Sequence, residues 1–194
     1  MSTSKNISVI GNIGCGKSTL LHSLYDQEYD VAFEPVNDWK FLNKFYTDMK
    51  RWCFALQVEI LNSFKVMDIS NKIVERSPWE ACNIFAKNSH LNNLMTDDEY
   101  HLICQITKSV GYKPDVFIYL RSTPELCMER IKKRNRHCES KVTAEYITQL
   151  HVLYDQCIED LIKEGKHVFI VDAYKEKQSI CEEVIEFLTC SSKK

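Results

Sequence analysis

An apolar run, Ile7–Ile10, leads directly into Gly11-Asn12-Ile13-Gly14-Cys15-Gly16-Lys17-Ser18, and residues 18–24 then follow a helical pattern. This strand, GxxxxGKS loop and helix leave few folds open. Glycines at these spacings let the backbone turn tightly, so that successive N–H groups line a nest for an anion. The helix that follows points its N-terminus at the same place. Nucleotide phosphates are therefore expected along Gly11, Asn12, Ile13, Gly14, Cys15, Gly16, Lys17, Ser18 and Thr19. In such a loop the lysine, Lys17, reaches the β- and γ-phosphates, and the Ser18 hydroxyl binds Mg²⁺.

Further short β-rich runs lie at Val31–Phe33, Lys72–Val74, Val116–Leu120 and Val168–Val171, separated by helical patterns. That alternation implies an α/β fold with a five-stranded parallel sheet flanked by helices. Thr96-Asp97-Asp98-Glu99 reads as a capping box, and Thr123-Pro124-Glu125 as an N-cap followed by proline at the first helical position. Leu102, Ile103, Ile106 and Val110 give one apolar helix face; Ile180, Val184, Ile185 and Leu188 give another, on a last helix of about 177–188. The whole chain, 1–194, reads as one domain, with a polar tail from Ser191.

Composition narrows the class of partner. With 25 basic and 27 acidic residues, no general field invites nucleic acid or an anionic membrane. No apolar run approaches the ~20 residues needed to span a bilayer. Only Met1–Asn6 precede the first strand, which leaves no room for a targeting peptide and implies a cytoplasmic site of action. The nine cysteines are scattered and form no CxxC, so they are expected to be mostly small buried hydrophobes.

Chemistry gathers beyond the loop. Glu34 and Glu75 fall at the ends of the second and third strands, the sheet edge where ligands bind in open α/β folds. The ordered set Glu34-Pro35-Val36-Asn37-Asp38-Trp39, Tyr46, Gln57 and Glu75-Arg76-Ser77 resembles the deoxynucleoside kinases, a family that includes deoxycytidine, deoxyguanosine, mitochondrial thymidine and insect broad-specificity enzymes. The resemblance runs from the phosphate loop to about residue 173.

It implies an ATP-dependent kinase acting on the 5′-OH of a small-molecule deoxynucleoside in nucleotide salvage. In that reading Glu34 accepts the hydroxyl proton, Arg76 positions it, and Glu75 joins Ser18 in the Mg²⁺ shell. The basic run Arg130, Lys132, Lys133, Arg134 and Arg136 becomes a lid over about 130–142, with Arg130, Arg134 and Arg136 closing on the triphosphate and the two lysines facing solvent. Gln57 binds the base, Phe85 stacks on it, Trp39 lines its edge, and Tyr46 with Glu139 holds the sugar 3′-OH. The donor base is expected near residues 172–175.

Deoxycytidine kinase-like members carry Arg and Asp at the positions of Phe64 and Ala81. The apolar pair found here, together with Ile60, resembles a compact, thymidine-accepting member that takes deoxycytidine second. Phe64 is bulkier than the family's Met, which bears on the size of the methyl pocket. The family also implies a homodimer packed through its long helices. Two other readings share the loop. A thymidylate kinase needs arginine where this chain has Glu34, and a non-catalytic nucleotide-binding regulator has no need of Lys17, Ser18, Glu34, Glu75 and Arg76 together. A small GTPase lacks support, since no Asn-Lys-x-Asp motif occurs.

Overall fold

The computed structural model describes residues 5–136 and 139–191. Residues 137 and 138 of the expected lid, and the expected tail beyond 191, lie outside the described residues. Five strands form one sheet in the order β2-β3-β1-β4-β5, and every pair is parallel. They are β1 (Ile7–Ile10), β2 (Val31–Ala32), β3 (Ile73–Glu75), β4 (Val116–Arg121) and β5 (His167–Asp172). Strands covered on both faces read as unbroken apolar runs, and the first five residues of β4, Val-Phe-Ile-Tyr-Leu, are all buried. At the sheet edge β5 is less covered, with Ile170 45% exposed.

One strand end differs from expectation. The second strand stops at Ala32, so Glu34 stands two residues beyond it, in the connection. As an edge strand, β2 has only β3 beside it. The Glu34 N–H turns to the Glu75 side chain (3.3 Å) and Pro35 follows, so the ladder ends early. The third strand, by contrast, runs on to include Glu75.

The helices are α1 (Lys17–Tyr25), α2 (Leu42–Thr47), α3 (Met49–Val66), α4 (Pro78–Glu80), α5 (Lys87–Leu91), α6 (Asp97–Val110), α7 (Pro124–Arg134), α8 (Ala144–Lys163) and α9 (Lys177–Ser191). A π-helical segment, Ala81–Ala86, joins α4 to α5. Caps sit where expected: Thr96 and Glu99 make the reciprocal capping box of α6, and Thr123 accepts from Leu126 N before Pro124 opens α7. Of the expected α6 face, Ile103 is buried and Ile106 and Val110 are half-buried, but Leu102 is 43% exposed. It lies about 100° round the helix from Ile103, off the stripe that meets α3. Among the described residues six cysteines are buried, as a thiol used for packing should be. Among the described residues, no helix is long and apolar enough to cross a membrane.

This order leaves β1 between β3 and β4, so connections run to opposite sides from the strand that feeds the phosphate loop. A crevice forms outside the carboxyl ends of the strands at such a reversal.

Candidate active site

The loop is packed tightly enough to require its glycines. Gly11 has φ +145°, and a Cβ there would stand 2.7 Å from the Leu120 carbonyl oxygen; at Gly14, with φ +80°, it would stand 2.6 Å from that of Cys127. Any side chain would push the loop off β4 and α7. Asn12 roots the loop from behind, its amide donating to Ile147 O on α8 (2.9 Å) and accepting from Ile13 N (2.8 Å). The Lys17 ammonium folds back onto the carbonyls of Gly11 and Asn12, 2.9 Å from each.

Above the loop lies a continuous cavity of about 720 Å³, within the range that small-molecule sites occupy. Ile13, Gly14, Cys15, Gly16, Lys17, Ser18 and Thr19 line one end. Glu34, Glu75 and Arg76 share the wall with Trp39, Tyr46, Gln57, Ile60, Phe64, Ala81 and Phe85, and Arg130, Arg134, Arg136 and Glu139 complete it. Of the residues expected in the phosphate loop and at the acceptor, only Gly11 and Asn12 lie behind the wall. His22, Phe33, Tyr146 and Lys177 also line it, as does Lys175 of the expected donor-base segment. Lys132 and Lys133 are both exposed, as expected, yet Lys133 also borders the cavity.

Between the ends sits a buried charge cluster. Arg76 Nε lies 2.9 Å from Glu34 Oε1 and 3.1 Å from Oε2, each side chain only 9% exposed. Burial pushes the Glu34 carboxyl up to about 7; Arg76 and Lys17 oppose this, while Glu75 and Glu80 reinforce it. Burial by itself lowers the Arg76 pKa, but Glu34, Tyr154 and Glu80 outweigh it and hold the guanidinium firmly protonated. Arg76 adopts φ +65°, uncommon for a residue with a Cβ, and its N–H donates to Val9 O across the end of β1 (2.9 Å). Strain of this kind collects at functional sites, where surrounding bonds enforce it.

Ser18 Oγ donates to Glu75 Oε1 at 2.6 Å, placing two hard oxygen donors side by side at the loop. Among the described residues no cluster of three or more His, Cys, Asp or Glu could form a metal cage. Mg²⁺ does not require one, since it keeps waters and is held by one or two carboxylates plus substrate phosphates. The donor set therefore fits Mg²⁺.

The far end of the cavity is apolar with unanswered polar atoms. Among the described residues, the buried side-chain atoms without a partner are Trp39 Nε1, Gln57 Oε1, Ser77 Oγ, Glu80 Oε2 and His151 Nδ1. The first three belong to residues lining this cavity. Buried polar atoms are rarely left unpaired, so the cluster marks a place built for a polar ligand edge. Gln57 occupies the buried face of α3, between Leu56, Ile60 and Phe64. Ala81 and Phe85 lie on the π-helical segment, a wide turn that often occurs at functional sites. The Arg76 guanidinium covers one side of the Phe85 ring, 4.7 Å from its centroid.

The basic run closes the cavity from α7. Lys132, Lys133 and Arg134 fall in that helix's last turn, where cations complement the dipole. Arg130 bridges the loop and the β5–α9 connection, donating 2.7 Å bonds to Cys15 O and Ala173 O. Arg134 instead makes bonds of 2.6–3.0 Å to the Glu139 carboxylate, with Arg136 3.7 Å away. Lys141 reaches Thr47 on α2 (3.3 Å), so the segment after α7 leans toward the helix that carries Tyr46.

Two residues of the charge cluster escaped the sequence reading. Glu80 and Tyr154 hold the end of Arg76 remote from Glu34. Glu80 left a faint trace, since it follows Arg76 at the i,i+4 spacing of a helical ion pair. Tyr154 left none, because only the packing of α8 brings it there.

Residues 7–189 match the profile of the deoxynucleoside kinase family. The chain is 32% identical over 178 residues to a probable deoxycytidine kinase of Fowlpox virus, covering 82% of this chain and 74% of that one. It is 30% identical over 166 residues to human mitochondrial thymidine kinase 2, covering 77% and 63%. A solved deoxyadenosine kinase from M. mycoides with bound dCTP superposes with TM-score 0.86 at 26% identity, covering 95% of this chain and 98% of that one.

Proposed function

Since the chain belongs to the deoxynucleoside kinase family, whose members are phosphotransferases, we propose that it moves the γ-phosphoryl group of ATP to the 5′-OH of a pyrimidine deoxynucleoside, thymidine ahead of deoxycytidine. The observation that carries this reading is the position of Glu34, in one cavity with the Ser18–Glu75 pair and the unpaired amide oxygen of Gln57. A hydroxyl acceptor needs a base there, whereas an acceptor phosphate would need a cation. In this scheme the loop holds the triphosphate, with Lys17 leaving its own backbone for the phosphates. Arg130, Arg134 and Arg136 neutralise charge on the transferring group. Mg²⁺, held by Ser18 and Glu75, supplies further charge stabilisation when bound.

Base choice turns on the acceptor end. The relatives' own names differ, covering deoxycytidine, thymidine and deoxyadenosine kinases. The preference rests instead on the apolar Phe64 and Ala81, which offer no charge to read a cytosine edge, and on Gln57, whose amide offers one donor face and one acceptor face. Tyr46 and Glu139 share the wall where a 3′-OH would lie. In a screen of the four deoxynucleosides, their ribose analogues and thymidine monophosphate with ATP and Mg²⁺, thymidine should give the highest kcat/KM. A purine preference would overturn the base assignment. Turnover of the monophosphate but not of thymidine would favour a thymidylate kinase. ATP binding without nucleoside-dependent ADP release would favour a regulator.

Gln57→Ala should raise the nucleoside KM by ~10-fold or more while leaving the ATP KM nearly unchanged, because a lost hydrogen bond to a buried partner costs about 1–3 kcal/mol. Equal effects on both substrates would contradict base recognition by Gln57. The same reading implies a homodimer packed through long helices, with residues 50–67 contributing. Light scattering at twice 22.7 kDa checks it.

A further inference from the structure

One guanidinium serves two buried carboxylates. Glu80, on α4, is fully buried and uses a single oxygen for three donors: Arg76 Nη1 (3.0 Å), Tyr154 Oη (2.5 Å) and Gly11 N (3.4 Å). Arg76 Nη1 in turn donates to Gly11 O (3.1 Å) and to Tyr154 Oη (2.9 Å). Both backbone polar groups of the residue that opens the phosphate loop are thus bonded to the pair. We propose that Glu80, supported by Tyr154, is a positioning residue for phosphoryl transfer, fixing Arg76 so that the phosphate loop and Glu34 are held in register. The inference rests on the kinase reading above and is independent of which base is bound.

One physical consequence follows from the geometry. Glu80 and Tyr154 hold Nη1 of Arg76 while Nε stays with Glu34, at 2.9 and 3.1 Å. That consequence is rigidity. A long, flexible side chain pinned at Nε and at Nη1 has little freedom left, so Glu34 cannot drift relative to Gly11. Misplacing a reacting group by about 1 Å can cost ~10²-fold in rate.

Stability alone gives no reason for the residue. Its second oxygen, Oε2, is buried without a partner. A lone buried oxygen of this kind costs free energy, and well-packed apolar replacements of buried ion pairs are often neutral or stabilising. A carboxylate kept at such a site, against the phosphate loop, points to a role in the reaction.

Glu80→Gln tests this, because it keeps the shape and an acceptor oxygen while removing the charge. Three readouts separate the roles: thermal midpoint, thymidine binding followed by Trp39 fluorescence, and kcat with KM for both substrates. The expected result is a folded variant whose nucleoside Kd stays within about threefold, with kcat lowered by ~10- to 10²-fold. Tyr154→Phe should lower kcat by a smaller factor. The double variant should be no slower than Glu80→Gln by more than about twofold, as expected for residues that act as a unit. A folded Glu80→Gln with kcat within about twofold of wild type would overturn the proposal, as would a loss confined to KM. If Glu80→Gln does not fold, Tyr154→Phe decides by the same criteria, since it removes one hydroxyl and keeps the ring. The kinase reading is judged separately, on nucleoside-dependent ADP release by the wild-type chain, whereas this proposal is judged on the ratio of variant to wild type.

Discussion

Glu34→Gln is expected to lower kcat by ~10²–10⁴ while nucleoside affinity changes little, the signature of a lost general base. The amide keeps the size of the carboxyl and can still accept from Arg76 Nε, but it cannot take up the 5′-hydroxyl proton. Burial already brings the wild-type carboxyl to about 7, close to the operating pH, where a general base works best. Only the carboxylate form accepts a proton. Wild-type kcat/KM for nucleoside should therefore fall as pH drops through about 7, and the residual activity of the variant should be flat across that range. Turnover close to wild type would remove Glu34 from the role.

Arg76→Met should cost ~3–5 kcal/mol of folding stability, because breaking a buried ion pair from one side strands the charge on the other. Here two carboxylates, Glu34 and Glu80, would be stranded together. The loss should depend on pH. The Glu34 carboxyl is raised from an ordinary value of 4.5 to about 7, so between those limits the folded chain binds the extra proton. Its contribution to stability is fully present below 4.5 and is lost as pH rises to about 7. Burial also raises Glu80, opposed by Arg76 and Lys17. Removing the guanidinium raises both groups further, so urea unfolding should show a larger deficit for the variant at pH 8 than at pH 5. An equal deficit at both values would mean that Arg76 is not compensating these charges.

Much of the fold was legible because its signals are local. The phosphate loop is contiguous and its spacing is read along the chain, although the close approaches that require Gly11 and Gly14 come from Leu120 and Cys127. The Thr96 and Thr123 caps depend on residues within three positions, and both sit as expected. The apolar run of β4 could be read directly, since a strand covered on both faces shows no polar alternation. Less legible was the end of β2, where an edge strand yields to the Glu34 N–H bond with Glu75, a partner 41 residues away. Leu102 misled for a related reason: periodicity gives a helix face but not its exact angular limits.

The candidate site divides in the same way. The phosphate-loop motif and the family resemblance together pointed to Lys17, Ser18, Glu34, Gln57, Glu75, Arg76 and the α7 arginines, and the cavity holds all of them. The burial of Glu34, the unpaired atoms of Gln57 and Trp39, and the turn of Lys17 onto its own loop were not readable, since each depends on what surrounds a side chain.

By itself, the sequence determined the strand–loop–helix unit, the parallel sheet and the inventory of charged groups, because these follow from spacing along the chain. Only the tertiary structure decided how one buried guanidinium is divided among Glu34, Glu80 and Tyr154. Those partners lie 42, 4 and 78 residues from Arg76. The strength of a charge interaction is set by distance and desolvation, and both exist only after the chain has packed.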